Sequence, residues 1–177
     1  MTESIDSGTR IKPGTDLYAE VSDLLLREAD ALDNYRYDEW LGMLTEDVTY
    51  VMPVRTSQFL TDGKGFHGDA TFFSDDRESL TTRVRRLETE FAWAETPPSR
   101  TRHFISNVLV HEREDGELGV RSSFMITRTR QDHGYQMFTG ERQDRLRRGE
   151  DGELRFAGRV ILPDQTVITA TNLSVLF

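Results

Sequence analysis

The sequence contains no cysteine. That absence excludes disulfides, a thiolate nucleophile, a cysteine-ligated zinc and any iron–sulfur cluster held by the chain's own thiolates. Lysine is nearly missing too. Lys12 and Lys64 are the only lysines among 22 basic residues; the rest are arginines, whose planar fork suits fixed ion pairs and interfaces, an excess that genomic base composition explains equally well. No uninterrupted apolar run approaches the roughly 18 residues of a membrane span, and the polar stretch Met1 to Gly14 lacks the basic-then-apolar order of a secretory leader. The expectation is a soluble, cytoplasmic protein with no membrane partner. Basic residues are outnumbered by 31 acidic ones, for a net charge of −9, so a nucleic-acid partner would need a local basic stripe working against the overall field.

What is present fits one globular domain. The chain has 177 residues, 36% of them hydrophobic, enough to bury a substantial core and too many for a disordered chain. Leu17, Val21, Leu24, Leu25 and Leu32 recur at helical spacing, and Tyr37, Trp40, Leu41 and Leu44 mark a second, shorter helix. A strand is expected at Val48 to Met52, stopped by Pro53, then a loop over Arg55 to Ser74. A third helix is expected from Asp75, which stands at capping-box spacing from Glu78, through Leu80, Val84 and Leu87. Beyond Arg100 the period changes to two. Runs near 102–111, 118–130, 135–147 and 153–162 are separated by short Asp/Gly connections, the mark of an antiparallel meander, and Val167 to Phe177 offers a further strand. In the fourth run Leu154, Phe156 and Val160 interleave with Arg155, Ala157 and Arg159, which places the arginines on the outer face. The reading is α+β, three helices packed on a strongly curved sheet, with residues 16–177 as the domain and 1–15 as a flexible N-terminal segment. The expected core is Leu17, Val21, Leu24, Leu25, Trp40, Leu41, Leu44, Leu80, Val84, Leu87, Phe124, Ile126, Leu154 and Phe156.

Motifs with chemical content are few. Gly63 to Gly68 spells G-x-G-x-x-G, but no strand precedes it and no helix opens on it, so a glycine-rich loop is expected rather than a dinucleotide site. His67, His103, His111 and His133 share no helix at ligand spacing, and His111 and His133 fall near hairpin ends, where solvation is expected. Asp33, Tyr35, Tyr37, His67 and His103 are types that perform proton transfer in a cone-shaped cavity; the structural alternative is that Asp33 ends the first helix and the rings pack beside it. Asn172-Leu173-Ser174 is a glycosylation sequon with nothing else to suggest secretion.

The stretch Arg86-Leu87-Glu88-Thr89-Glu90-Phe91-Ala92-Trp93-Ala94-Glu95-Thr96-Pro97-Pro98-Ser99-Arg100-Thr101-Arg102-His103 resembles the signature region of small (beta) subunits of bacterial aromatic-ring-hydroxylating dioxygenases. Asp38 to Leu41 with Glu46 to Arg55 is similar to that family's early segment, and Asn172 to Val175 to its C-terminal strand, so the resemblance runs from about Leu17 to the end. It implies an NTF2-like (cystatin-like) cone with a mostly antiparallel sheet. It also implies a non-catalytic subunit that supports large (alpha) subunits adding dioxygen to aromatic hydrocarbons, giving cis-dihydrodiols, in an α3β3 hexamer served by a ferredoxin and reductase. The Rieske 2Fe-2S cluster and mononuclear iron are implied for the large subunit, with catalytic, cofactor and metal residues none on this chain. Subunit contacts are expected from Trp93, Glu95, Arg100, Arg102 and His103, and from Leu173, Val175 and Phe177; in each segment packing within the chain is the alternative. A stand-alone dehydratase or isomerase using His and Asp in the cone is the competing function.

Overall fold

The computed structural model describes residues 5–56, 65–88, 99–130, 133–166 and 175–177. Helix α1 (Asp16–Asp33) starts where the Thr15 side chain accepts the Tyr18 N–H at 3.3 Å, with Asp16 in the electropositive first turn. Val21, Leu24, Leu25, Ala31 and Leu32 form its buried stripe, and Glu28 lies within that stripe. After Asn34 the chain turns at Tyr35, whose φ of 59° is rare for so large a side chain; its hydroxyl donates to the Ser99 carbonyl at 2.9 Å and fixes the turn. Helix α2 (Tyr37–Gly42) buries Trp40 and Leu41. It ends sooner than the spacing predicts, because Leu44 opens a strand instead of closing the helix.

That strand, β2 (Leu44–Arg55), runs through Pro53 with register shifts on either side of it. The expected loop over 55–74 is corrected: β3 (Phe66–Asp75) pairs antiparallel with β2. The third helix, α3 (Arg77–Glu88), is capped one residue later than predicted. Asp76 Oδ1 accepts the Ser79 N–H at 2.9 Å while Ser79 Oγ accepts the Asp76 N–H at 2.8 Å, and Asp75 instead closes β3 and accepts from Arg83 at 2.5 Å.

The predicted meander is present as β4 (Arg100–Glu112), β5 (Leu118–Arg130), β6 (His133–Arg148) and β7 (Leu154–Pro163). Residues 9–11, expected within the flexible N-terminal segment, form β1 (Thr9–Ile11) against β4. Among the described residues the sheet has seven strands in the order β1-β4-β5-β6-β7-β2-β3, mixed because β2 and β7 run parallel, and not closed. Helix α1 packs on β4 and α3 on β2, which places the core inside the curve. Leu17 and Leu87 are only partly buried; the rest of the expected core set is buried.

One register detail decides the interior. Leu146 pairs with Phe156 and Arg145 with Gly158, so Ala157 is an extra residue on β7. Such a bulge flips the faces of everything after it. Arg159 therefore points inward, opposite Asp144, and Val160 is no longer fully buried, the reverse of the sequence expectation. Residues 175–177 are not in a strand; they enter the core. Residues 167–174, the rest of that expected strand, lie outside the described residues.

Candidate functional site

Inside the cone, one acid on α1 meets two arginines from the sheet. Glu28 Oε1 accepts from Trp40 Nε1 at 3.2 Å and Arg159 Nη1 at 2.6 Å; Oε2 accepts from Arg159 Nη2 at 2.9 Å and Arg142 Nη1 at 3.1 Å. Arg159 also donates to Asp144 through Nε at 2.6 Å and Nη2 at 3.0 Å. Glu28, Arg142, Asp144 and Arg159 are all at most 2% exposed. Burial alone would raise the Glu28 carboxyl, but the Arg159 and Arg142 charges outweigh it and hold it below its ordinary value. Burial likewise disfavours charge on Arg159, yet Asp144 and Glu28 raise its pKa well above that of an ordinary guanidinium. Such a cluster is tolerated only because each charge has partners.

Phe177 fills the centre. Its main-chain oxygen accepts from Arg159 Nη1 at 2.6 Å and from the Tyr50 hydroxyl at 2.5 Å, and its N–H donates to that hydroxyl at 2.7 Å. Its ring meets Phe138, Phe124 and Phe73 at centroid distances of 5.6, 5.7 and 6.5 Å. Burial pushes the Tyr50 hydroxyl up to about 12.

Of the acid–base candidates, the fold brings Asp33 and His103 together, at 2.6 Å between Oδ1 and Nδ1. His103 Nε2 faces the Leu176 carbonyl at 2.9 Å, so both ring nitrogens are engaged. Burial raises the Asp33 carboxyl, the hydrogen bonds from the His103 ring and N–H lower it, and the lowering wins. Tyr35 is committed to Ser99, and Tyr37 packs edge-on against Tyr35. The side chains of His67 and His133 lie outside the described residues. His111 is not solvated as expected: its side chain is 13% exposed, with Nδ1 3.8 Å from Asp6. The G-x-G-x-x-G run leads into strand β3, not a helix.

No group of three or more His, Asp or Glu side chains gathers at metal-binding distance among the described residues. The chain has no cysteine for a Rieske cluster, and among the described residues no two-His-one-carboxylate set forms, since His103 and His111 each face a different aspartate.

The outer face of β4, β5 and β6 differs from the rest of this acidic chain. Register aligns Arg100, Thr129 and Tyr135 in one row, Arg102, Thr127 and Met137 in the next, and Phe104, Met125 and Thr139 in a third. None of these residues is a carboxylate. Phe104, Tyr135 and Met137 are 52%, 71% and 48% exposed, large apolar side chains gathered on one face, with exposed Arg100 and Arg102 beside them. Of the sequence-derived contact candidates, Arg100 and Arg102 lie on this face; the His103 side chain, Val175 and Phe177 lie inside the subunit; Trp93, Glu95 and Leu173 are outside the described residues. Sequence reasoning missed Tyr135 and Met137, although period-two parity along β6 puts both on the face opposite Phe138. It also missed Glu28, whose place in the apolar stripe of α1 was the available signal.

Residues 27–170 match the family model described as ring hydroxylating beta subunit. A benzene 1,2-dioxygenase subunit beta of Pseudomonas putida is 39% identical over 168 residues, spanning 92% of this chain and 89% of its own length. A second Pseudomonas putida benzene 1,2-dioxygenase subunit beta is 36% identical over 167 residues, with the same coverage. Among solved structures, naphthalene 1,2-dioxygenase with indole bound in its active site has a TM-score of 0.81 at 23% identity, over 95% of this chain and 90% of that one. The beta subunit of benzoate 1,2-dioxygenase from Burkholderia mallei has a TM-score of 0.72 at 20% identity, over 94% and 100%. At those identities the structures speak to the fold alone, an NTF2-like cone. The chain, matched over most of its length by sequence as well, belongs to the family of ring-hydroxylating dioxygenase beta subunits.

Proposed function

We propose that this chain is the non-catalytic small subunit of an aromatic-ring-hydroxylating dioxygenase, and that it docks its large subunit through the outer face of β4, β5 and β6. The observation that carries the docking surface is the carboxylate-free ladder of Arg100, Arg102, Phe104, Met125, Tyr135 and Met137 on a chain of net charge −9. Arginine, methionine and aromatic residues are enriched at interface cores, and acidic ones are depleted there. The partner surface is apolar with flanking carboxylates for the two guanidiniums. In this reading the assembly is an α3β3 hexamer in the cytoplasm. The large subunit holds the Rieske cluster and mononuclear iron, draws electrons through a ferredoxin and reductase, and converts aromatic hydrocarbons to cis-dihydrodiols. Relatives of benzene-dioxygenase type make a monocyclic arene the first substrate to assay. The interior supports a non-catalytic role, because His103 has both nitrogens engaged and Phe177 is packed into the core of the cone.

Co-expression of tagged large subunit with this chain tests the docking face. The pair Arg100→Glu and Arg102→Glu should cut co-purification at least about tenfold, the equivalent of 1.4 kcal/mol, with little change in the small subunit's melting temperature. Undiminished co-purification would move the interface elsewhere.

A further inference from the structure

The two arginines of the buried cluster use their forks differently. Arg159 clasps both Asp144 oxygens with Nε and Nη2, the paired donors along one side of its guanidinium, at 2.6 and 3.0 Å. The same edge of Arg142 faces no acceptor among the described residues, although the residue is 1% exposed and its Nη1 is committed to Glu28 at 3.1 Å. A second buried polar atom beside it is in the same condition. Ser122 of β5 is the register partner of Arg142 on β6, both side chains turn into the cone, and the equally buried Ser122 hydroxyl has no hydrogen-bond partner among the described residues. We propose that Arg142 and Ser122 together bind an ordered internal water, which accepts from Arg142 Nε and Nη2 and donates to Ser122 Oγ.

Geometry, stoichiometry and charge each favour this occupant. Directly opposed residues of an antiparallel pair have Cβ atoms about 5 Å apart, which puts the serine hydroxyl and the guanidinium edge within reach of a one-molecule bridge. On the other flank of Ser122, β4 bulges. Arg121 pairs with Leu109 and Ser123 with Ser106, so Asn107 and Val108 together oppose Ser122. Such an insertion bends the strand and breaks the ladder. Asn107 takes a φ of 53°, and the Val108 carbonyl accepts the Tyr18 hydroxyl of α1 at 3.2 Å, so β4 is tied here to the helix. Buried waters typically make about three hydrogen bonds, and the three orphaned atoms supply that number. The neighbouring protein acceptors are already engaged: Asp144 by Arg159, and the Tyr50 hydroxyl by both polar groups of the Phe177 main chain. Arg142 and Arg159 balance Glu28 and Asp144, so among the described residues a halide or carboxylate would add an uncompensated buried charge, whereas water adds none. Held on this edge, the guanidinium keeps its plane, and Nη1 stays aimed at Glu28.

Ser122→Ala in the full chain separates a hydrated hydroxyl from an orphaned one. With water bound, the change deletes a hydrogen bond, and the unfolding constant from urea titration should rise about fivefold. Deleting an unsatisfied hydroxyl leaves that constant unchanged or lowers it, and either result overturns the proposal. Water-selective NOE and ROE spectra read the occupant directly. The Arg142 Nε–H, assigned by its loss in Arg142→Lys, should show water cross-peaks of opposite sign in the two experiments, the mark of a long-lived contact; their absence overturns the site. Crystals of the full chain grown in bromide supply the last arm. Density should lie within hydrogen-bond distance of Arg142 Nε, Arg142 Nη2 and Ser122 Oγ without an anomalous signal, and an anomalous peak there would make the site an anion site and overturn the assignment to water.

Discussion

Arg159→Met removes the centre of the buried ionic cluster while keeping most of its volume. The lost guanidinium supplies the side-chain donors that Asp144 has among the described residues, through Nε at 2.6 Å and Nη2 at 3.0 Å. Glu28 keeps Arg142 at 3.1 Å and Trp40 at 3.2 Å, so it survives as a charge-assisted pair. Asp144, at 0% exposure, is left a buried carboxylate without a side-chain donor among the described residues, with only the nearby Arg142 charge to offset it. Removing one partner of a buried pair costs about 3–5 kcal/mol, chiefly from the orphaned charge. For a chain of this size that lowers the melting temperature by roughly 6–20 °C. Arg142→Met should cost less, because Arg142 serves Glu28 through Nη1 alone while its buried Nε and Nη2 meet no acceptor among the described residues. Combining Arg159→Met with Asp144→Leu removes the orphan together with its partner and should recover at least half the loss. Urea unfolding followed by tryptophan fluorescence at neutral pH gives all the required values. A single-variant cost below about 1 kcal/mol, or a double variant as damaged as the sum of its parts, would refute the electrostatic account.

Leu24→Ala and Phe156→Ala, both at 1% exposure, should each cost about 2–5 kcal/mol in the same titration. Tyr50, raised from 10 to about 12 by burial, contributes no pH dependence below about pH 10 and above it a fall of about 1.4 kcal/mol per pH unit until about 12, since only the unfolded chain ionises there; Tyr50→Phe should abolish that slope. Gly140→Ala should destabilise by about 1–3 kcal/mol, because a Cβ there would stand 2.3 Å from the Leu162 carbonyl oxygen and 2.9 Å from the Phe124 ring. Alkaline and urea unfolding curves check both. In acid, Glu28 and Asp33, both lowered in the folded state, contribute stability above the ordinary carboxylate range that is lost as pH falls through their folded values.

The helical stripe of α1 and the meander were legible because each rests on local rules: apolar spacing, and Asp-Gly turns where Gly116 and Gly152 take φ near 80° and 84°. What escaped reading depends on distant partners. β3 was hidden because its pairing with β2 is interrupted around Pro53, so neither strand shows clean alternation. Arg159 was hidden by the extra residue at Ala157, a bulge that period-two reasoning cannot place without the neighbouring strand. The C-terminal residues were read correctly as apolar, but an apolar end suits an interface, an edge strand or a core equally well. The face proposed for docking is only half visible in the sequence. Arg100 and Arg102 were visible through the family resemblance, whereas the row that adds Tyr135 and the row that adds Met137 exist only once β4, β5 and β6 are in register.

Glu28 has a kinetic consequence. Its partners Arg142 and Arg159 stand 114 and 131 residues further along the chain, and Tyr50 waits 127 residues for Phe177. Until β6 and β7 arrive, α1 carries a carboxylate that has the Trp40 N–H but no cationic partner in the middle of the face it must bury, so a partly made sheet offers it no stable seat. Folding should therefore be a slow, single event with high contact order, in which ring closure over more than a hundred residues precedes any gain from the core. A fragment ending before β7 should remain an exposed, aggregation-prone intermediate, while a stopped-flow trace of the full chain should show α1 and β7 becoming ordered in the same phase.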